Sequence, residues 1–386
     1  MRSLCALLAA LCLALPVARA QATVDIGAMN EQVDAAFRGA KAVGGAFIVA
    51  KGHEIVYERY YGYRHKSTQS IVTPNTYFRC ASVSKLVAGI GVMRLMEQGV
   101  LAPDEDISAY LGYTVRNPRY MNTPITLRML MSHTAGLNEN SSYSKRSSLL
   151  RDMLDVDRKA RSNFREVKPG ATYTYSNFGA GVTGSIVESV TGLEFSQFMR
   201  QEVFGPLDID AAYVPTQLES PGDLASSYNK DGSLNVGASY VLSQQYDSEP
   251  NPDAHYRMVV GSLYIRPHDL ARLGIALCTD GTVDGVRLLS EESLAMMRQE
   301  QSEETTGITS KSPYSFFTIR QDTLFAGRRV YGHQGTSEGI VCNLYYEPQS
   351  ELTIVVVSNG CSTTRDDGIM RLTRRLAGYA GEAWLN

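Results

Sequence analysis

A chain of 386 residues that is 44% hydrophobic and 20% charged carries enough apolar material for a large packed core, and its composition excludes a disordered or low-complexity protein. With 37 basic against 40 acidic side chains, a formal net charge of −3, it offers no basic face for nucleic acid.

The first twenty residues differ in kind from the rest. Arg2 precedes an apolar run from Leu4 to Leu15, and Ala18-Arg19-Ala20 is a small-x-small cleavage signature, so residues 1–20 read as a signal peptide cut after Ala20 and the protein as periplasmic or secreted. A lipid anchor on Cys12 is disfavoured because Leu11, not a small residue, precedes it. Removing the leader takes two arginines and no acid, which leaves a formal net charge of −5. No later stretch reaches about 18 apolar residues, so no membrane span is expected. Cys80, Cys278, Cys342 and Cys361 remain, in a compartment where pairing is permitted.

Gly44 to Tyr61 alternates apolar and polar residues around Lys51-Gly52 and predicts a β-hairpin. Ser82 to Gln98 is almost wholly apolar and closed by Gly99, as expected of a buried helix, and a second helix over Phe178 to Thr191 closes at Gly192. Residues 215–255 and 301–313 are polar, rich in turn formers and without period, and read as long surface loops. Two β-rich runs follow Val330 and turn at Pro348-Gln349-Ser350. That register sets Cys342 opposite position 357, four short of Cys361, which argues against a bridge between those two. A last helix is expected over roughly Asp366 to Tyr379. Strands at both ends with helices between predict an α+β fold: one antiparallel sheet built from both chain ends with flanking helices, plus an inserted, mostly helical region. Residues 21–386 then form one domain, its sheet part approximately 21–75 and 256–386 and its helical part approximately 76–255.

Acyl-transfer chemistry needs a hydroxyl and a base on one helix face, which Ser-x-x-Lys supplies. The pattern occurs three times, as Ser82/Lys85, Ser142/Lys145 and Ser227/Lys230, and the last two sit in polar, turn-rich stretches that read as solvated loop. Ser82 alone opens an apolar helix, whose N-terminus favours a developing oxyanion and whose apolar surroundings depress a lysine pKa. Serving only as a helix cap is the bland alternative for Ser82. Tyr175-Ser176-Asn177 places a phenol and an amide at a loop–helix junction. A tyrosine beside a cationic lysine loses its proton more readily and can act as acid or base. Tyr120-Met121-Asn122 repeats the spacing without a helix and reads as chance. Gly332-His333-Gln334-Gly335 opens the C-terminal β-rich region; Gly335 allows close backbone approach, and the Thr336 N–H is a second oxyanion donor.

FRCASVSK ending at Lys85, LMSHTAGL at Leu130 to Leu137, KPGATYTYSN, and YGHQGTSEG resemble in content and order the class C β-lactamase and serine D-Ala-D-Ala carboxypeptidase family, and VFGPLDI, VGSLYIRPHDLARL and YYEPQSELTIVVVSN extend the resemblance over nearly the whole mature chain. It implies that Ser82 is the acylated nucleophile, that Lys85 and Tyr175 move its proton, that Asn177 holds Lys85 and a substrate amide, that His333 lines the cleft, and that Ser82 and Thr336 N–H groups form the oxyanion hole. It implies a small-molecule or short-peptide substrate, with no metal or cofactor, and leaves the oligomeric state open. Lys-Thr-Gly is the usual third motif, and here His333-Gln334-Gly335 replaces it. A histidine of ordinary pKa is mostly neutral at pH 7 and holds a substrate carboxylate less well. Peptidase, amidase or esterase activity is therefore favoured over a true β-lactamase, with a penicillin-binding sensor that acylates without turnover as the remaining alternative. Gly335 to Gly339 also matches the Gly-x-Ser-x-Gly elbow of α/β-hydrolases, but no histidine follows His333 to complete that triad. His133 reads as a structural loop residue and His53 as a solvated hairpin tip.

Overall fold

The computed structural model describes residues 24–145, 147–158, 160–300 and 313–385; the expected leader and all but the last residue of the 301–313 loop lie outside them. Helix α1 (Ile26–Gly39), capped by the Asp25 carboxylate on the Ala28 N–H, leads into strands β1 (Gly44–Lys51), β2 (Glu54–His65) and β3 (Ser70–Ile71). The expected hairpin is present: Lys51 pairs with Glu54 across a turn in which Gly52 has φ +59°. Helices α2 (Val83–Glu97), α3 (Asn177–Thr191) and α4 (Pro267–Cys278) follow, separated by shorter helices and turns. Strands β4 (Tyr314–Ser315), β5 (Thr318–Arg320), β6 (Tyr331–Ser337), β7 (Ile340–Glu347) and β8 (Leu352–Ser358) precede α5 (Arg371–Trp384).

These strands form one eight-stranded sheet, ordered β4-β5-β6-β7-β8-β1-β2-β3, in which neighbours are antiparallel. The two chain ends meet at its centre, where Ile48 lies opposite Val355. Strand β1 does not alternate apolar with polar residues as expected, because both sheet faces are covered. Its Ala46, Ile48 and Ala50 enter the core shared with α2, α3 and α4, while Phe47 and Val49 enter a second core shared with α1 and α5.

Two further expectations are corrected, and the one on the cysteines holds. The last helix begins at Arg371, since Arg365–Asp366 pairs with Ile369–Met370 across Asp367 and Gly368, both left-handed, a turn that Asp-Gly favours. Residues 215–255 hold a small strand pair, Ser227–Tyr228 with Leu234–Val236, and a helical turn over Ala238–Leu242, elements too short to impose a visible period. All four described cysteines are buried free thiols, and Cys342 faces Val357 as its register requires.

Candidate active site

Helix α2 is buried along nearly its whole length, and the chain enters it through Ala81, at φ +44°. That strained entry is held from both sides. The Ser84 hydroxyl donates to the Ala81 carbonyl at 2.6 Å and accepts the Leu263 N–H at 3.0 Å. Ser82 stands at the N-cap position, yet its side chain makes no capping hydrogen bond, so capping is not its role. Its Oγ lies 3.1 Å from Lys85 Nζ, and Nζ donates to the Val260 carbonyl at 2.7 Å.

Lys85 is fully buried. Loss of solvent brings its pKa down to about 7, against a smaller opposing pull from the Glu139 carboxylate. The amine is therefore half deprotonated near neutrality and able to take the Ser82 proton. Its Nζ lies 5.3 Å from the centre of the Tyr175 ring. The expected depression of the tyrosine pKa is not found. Burial raises the Tyr175 phenol, only partly opposed by the Ser82 hydroxyl beside it, while Tyr173, Glu139 and Tyr143 push in the same direction as burial. Tyr175 is thus a neutral phenol at pH 7.

The loop carrying Tyr175 is fastened to His133 on both flanks. Thr174 donates its N–H to the His133 carbonyl at 2.9 Å, and Ser176 donates its N–H to His133 Nδ1 at 3.3 Å. The imidazole packs 4.3 Å from the Tyr175 ring, centre to centre, with its own backbone at φ +59°. Burial, reinforced by Lys85, holds His133 neutral, as an accepting Nδ1 demands.

His333, Gln334, Gly335 and Thr336 lie on β6, whose outer edge pairs with β5 only at Tyr331 and Gly332 and faces the α2 entrance beyond. A methyl group at Gly335 would fall 2.5 Å from the Cys80 carbonyl oxygen and 2.8 Å from the Ser82 nitrogen, so glycine is required for β6 to reach Ser82. His333 is buried, and its Nδ1 meets the Gln334 carbonyl at 2.8 Å; desolvation lowers its pKa to about 3. It is neutral, and more firmly so than its type alone suggests.

Asn177 departs from its expected partner. Its Nδ2 points to Glu139 Oε2 at 3.4 Å rather than to Lys85, whose hydrogen bonds go to Ser82 and Val260. Ser142 lies within the one-turn helix Ser141–Ser144, with Lys145 exposed at its C-terminal end, and Ser227 sits in the small strand pair. His53 is half exposed at its hairpin tip.

The β-lactamase family model matches residues 31–379. The chain belongs to the β-lactamase family. Members of that family are serine hydrolases. Among relatives, an Escherichia coli O157:H7 protein named for D-alanyl-D-alanine carboxypeptidase activity is 24% identical over 367 residues, covering 86% of this chain and 80% of its own. Two solved structures share the fold with a TM-score of 0.70. The D-amino acid amidase of Ochrobactrum anthropi SV3 is 18% identical, over 93% of this chain and all of that one. EstCE1, a hydrolase with promiscuous acyltransferase activity, is 20% identical, over 92% and 98%.

Within this β-lactamase-family site, sequence reasoning missed the Val260 carbonyl and Glu139. The first is a backbone atom and the second an isolated acid in a loop, so neither carries a motif. Glu188, Glu194 and His255 have ligand atoms within 4.8 Å of one another. Their carboxylate oxygens already accept the N–H groups of Phe195, Asn251, Ser196 and Gln197 and the His255 ring, so the group braces α3 against residues 251–255.

Proposed function

We propose that this β-lactamase-family protein is an exported acyl-enzyme hydrolase that cleaves an amide or ester of a small molecule or short peptide. The observation that carries the reading is a Lys85 amine 3.1 Å from Ser82 Oγ with its pKa brought down to about 7 by burial. In the proposed cycle the Ser82 proton passes to Lys85 as Oγ bonds to the substrate carbonyl carbon. The carbonyl oxygen takes the negative charge and is held by the N–H groups of Ser82 and Thr336. Tyr175 gives its proton to the departing amine or alkoxide and is reprotonated through Lys85. Water then cleaves the acyl-enzyme by the same proton transfers in reverse.

A neutral His333 where the family usually has lysine supports peptidase, amidase or esterase activity over β-lactam hydrolysis, because it cannot neutralise a substrate carboxylate. The amidase and carboxypeptidase names among the similar proteins point the same way. Labelling with a fluorophosphonate tests the nucleophile: wild type labels once per chain, Ser82→Ala does not, and Ser142→Ala labels as wild type. Labelling of Ser82→Ala overturns the assignment. Turnover of nitrocefin, a D-Ala-D-Ala peptide, a D-amino-acid amide and a short-chain nitrophenyl ester identifies the substrate. A single burst without turnover on all four would instead indicate a penicillin-binding sensor.

A further inference from the structure

The proposed cycle gives His133 no task, and space-filling does not account for it. Its backbone stands at φ +59°, just past the short helix Leu127–Met131, where a helix end usually has glycine or asparagine. The buried imidazole is surrounded by the rings of Tyr175, Tyr314, Phe317 and Tyr173, at 4.3, 4.9, 5.7 and 6.4 Å between centres. Because Nδ1 accepts the Ser176 N–H, the ring proton is on Nε2, and that nitrogen is buried with no hydrogen-bond partner among the described residues. An all-carbon side chain would fill this aromatic cage without stranding a donor. What a histidine adds here is the acceptor at Nδ1.

That acceptor completes a brace around a single residue. On one side of Tyr175, Ser176 is bound through its N–H to Nδ1, while its own Oγ caps α3 by accepting the Gly179 N–H at 3.0 Å. On the other side, Thr174 donates to the His133 carbonyl and Gly170 to the Thr134 carbonyl, each at 2.9 Å. Tyr175 is held at both of its peptide bonds, with its ring against the imidazole and its hydroxyl beside that of Ser82. A shift of this loop is therefore a shift of the phenol relative to Ser82. His133 has no such hold on the other two groups. The Lys85 amine bonds to Ser82 and to the Val260 carbonyl, and a neutral imidazole adds no field of its own.

We infer that His133 is a positioning residue, whose Nδ1 and ring set where the Tyr175 hydroxyl stands and so govern protonation of the leaving group. This rests on the acyl-enzyme reading above, in which Tyr175 gives its proton to the departing amine or alkoxide. Its signature is a dependence on leaving group. During acylation, read as kcat/KM, p-nitrophenolate departs without a proton, whereas ethoxide needs one.

The test compares ethyl butyrate with p-nitrophenyl butyrate, which deliver the same acyl group. Tyr175→Phe should lower kcat/KM by about 10²-fold or more on the ethyl ester and by no more than about fivefold on the nitrophenyl ester. His133→Gly suits the left-handed backbone but lacks the acceptor and the ring, and should show the same split, with about tenfold or more lost on the ethyl ester. His133→Asn keeps an acceptor, Oδ1, in a residue that tolerates this backbone, and should return the ethyl ester to within about threefold of wild type. In Tyr175→Phe protein, His133→Gly should lower the rate no further, since no phenol is left to place. A readout on the wild type does not depend on any variant folding: nitrogen NMR of isotope-labelled histidine at pH 6 should find His133 neutral and protonated at Nε2. Five results overturn the inference: equal losses on both esters in His133→Gly, no recovery in His133→Asn, a further loss in the Tyr175→Phe background, a proton on Nδ1, or turnover of neither ester by wild type. Failure of the acyl-enzyme reading shows separately, as absence of fluorophosphonate labelling at Ser82 or wild-type turnover of ethyl butyrate by Tyr175→Phe, and the inference falls with it.

Discussion

At the scale of single residues, Lys85 sets the pH behaviour of the protein twice over. Proton transfer from Ser82 requires the neutral amine, so kcat/KM should rise with pH through about 7 and then level, a profile read from initial rates between pH 5 and 9. Removing the Glu139 carboxylate, which favours the protonated amine, moves that midpoint to lower pH in Glu139→Gln. The same residue weakens the fold. Its folded pKa of about 7 lies below the ordinary 10.5, so at pH values under 7 both folded and unfolded chains hold the proton and the cost of burying the charge is fully present. Between about 7 and 10.5 the unfolded chain binds more protons, and stability rises with pH. Lys85→Met should therefore abolish activity, lowering kcat by roughly 10²-fold to 10⁴-fold, while raising the melting temperature, and the gain should be larger at pH 6 than at pH 9. A melting temperature that falls equally at both values would show that the amine's hydrogen bond to Val260 outweighs its desolvation.

At the scale of elements, the site is the place where β6 touches the turn into α2. The two are separated by about 250 residues of sequence, and Gly335 is what lets them meet. Gly335→Ala puts a methyl group against the Cys80 carbonyl and the Ser82 nitrogen, so β6 must retreat and the Thr336 N–H with it. The expected cost is about 1–3 kcal/mol of stability together with a loss of about 10²-fold in kcat, measured by chemical denaturation and by steady-state rates. The glycine and the Ser-x-x-Lys helix were legible in the sequence because their signals are local: Gly99 and Gly192 stop helices, Lys51-Gly52 turns a hairpin, and an apolar run follows Ser82. What was illegible depends on tertiary contact. Asn177 turns from Lys85 to Glu139 only because a loop 38 residues earlier delivers a carboxylate to the start of α3. Tyr175 keeps its proton because its own burial, which no local sequence signal reports, outweighs the hydrogen bond from Ser82. The start of α5 shifted because a six-residue hairpin, too short for any period, takes the residues before it.

At the scale of the whole molecule, one sheet separates two cores, and the helix that begins at Ser82 packs in one of them. α2, with Ser82 at its start, packs in the core shared with α3 and α4, whereas α1 and α5 cover the opposite face. Leu376 of α5 is fully buried in that second core, with Val356 of β8 and Phe37 of α1 in the same cluster. Truncating it leaves a cavity that the sheet cannot fill, since central strands paired on both edges have little freedom to move inward. Leu376→Ala should cost about 2–5 kcal/mol, seen as a lower denaturation midpoint. Ser82 and Lys85 lie on the other side of the sheet, and Tyr175 meets the second core only as a partly buried side chain packed against it, so kcat/KM should stay within about twofold at temperatures where the variant is folded. A parallel loss of activity in fully folded protein would mean that the two layers are coupled through β6, with the position of Gly335 against Ser82 set by packing on both faces of the sheet.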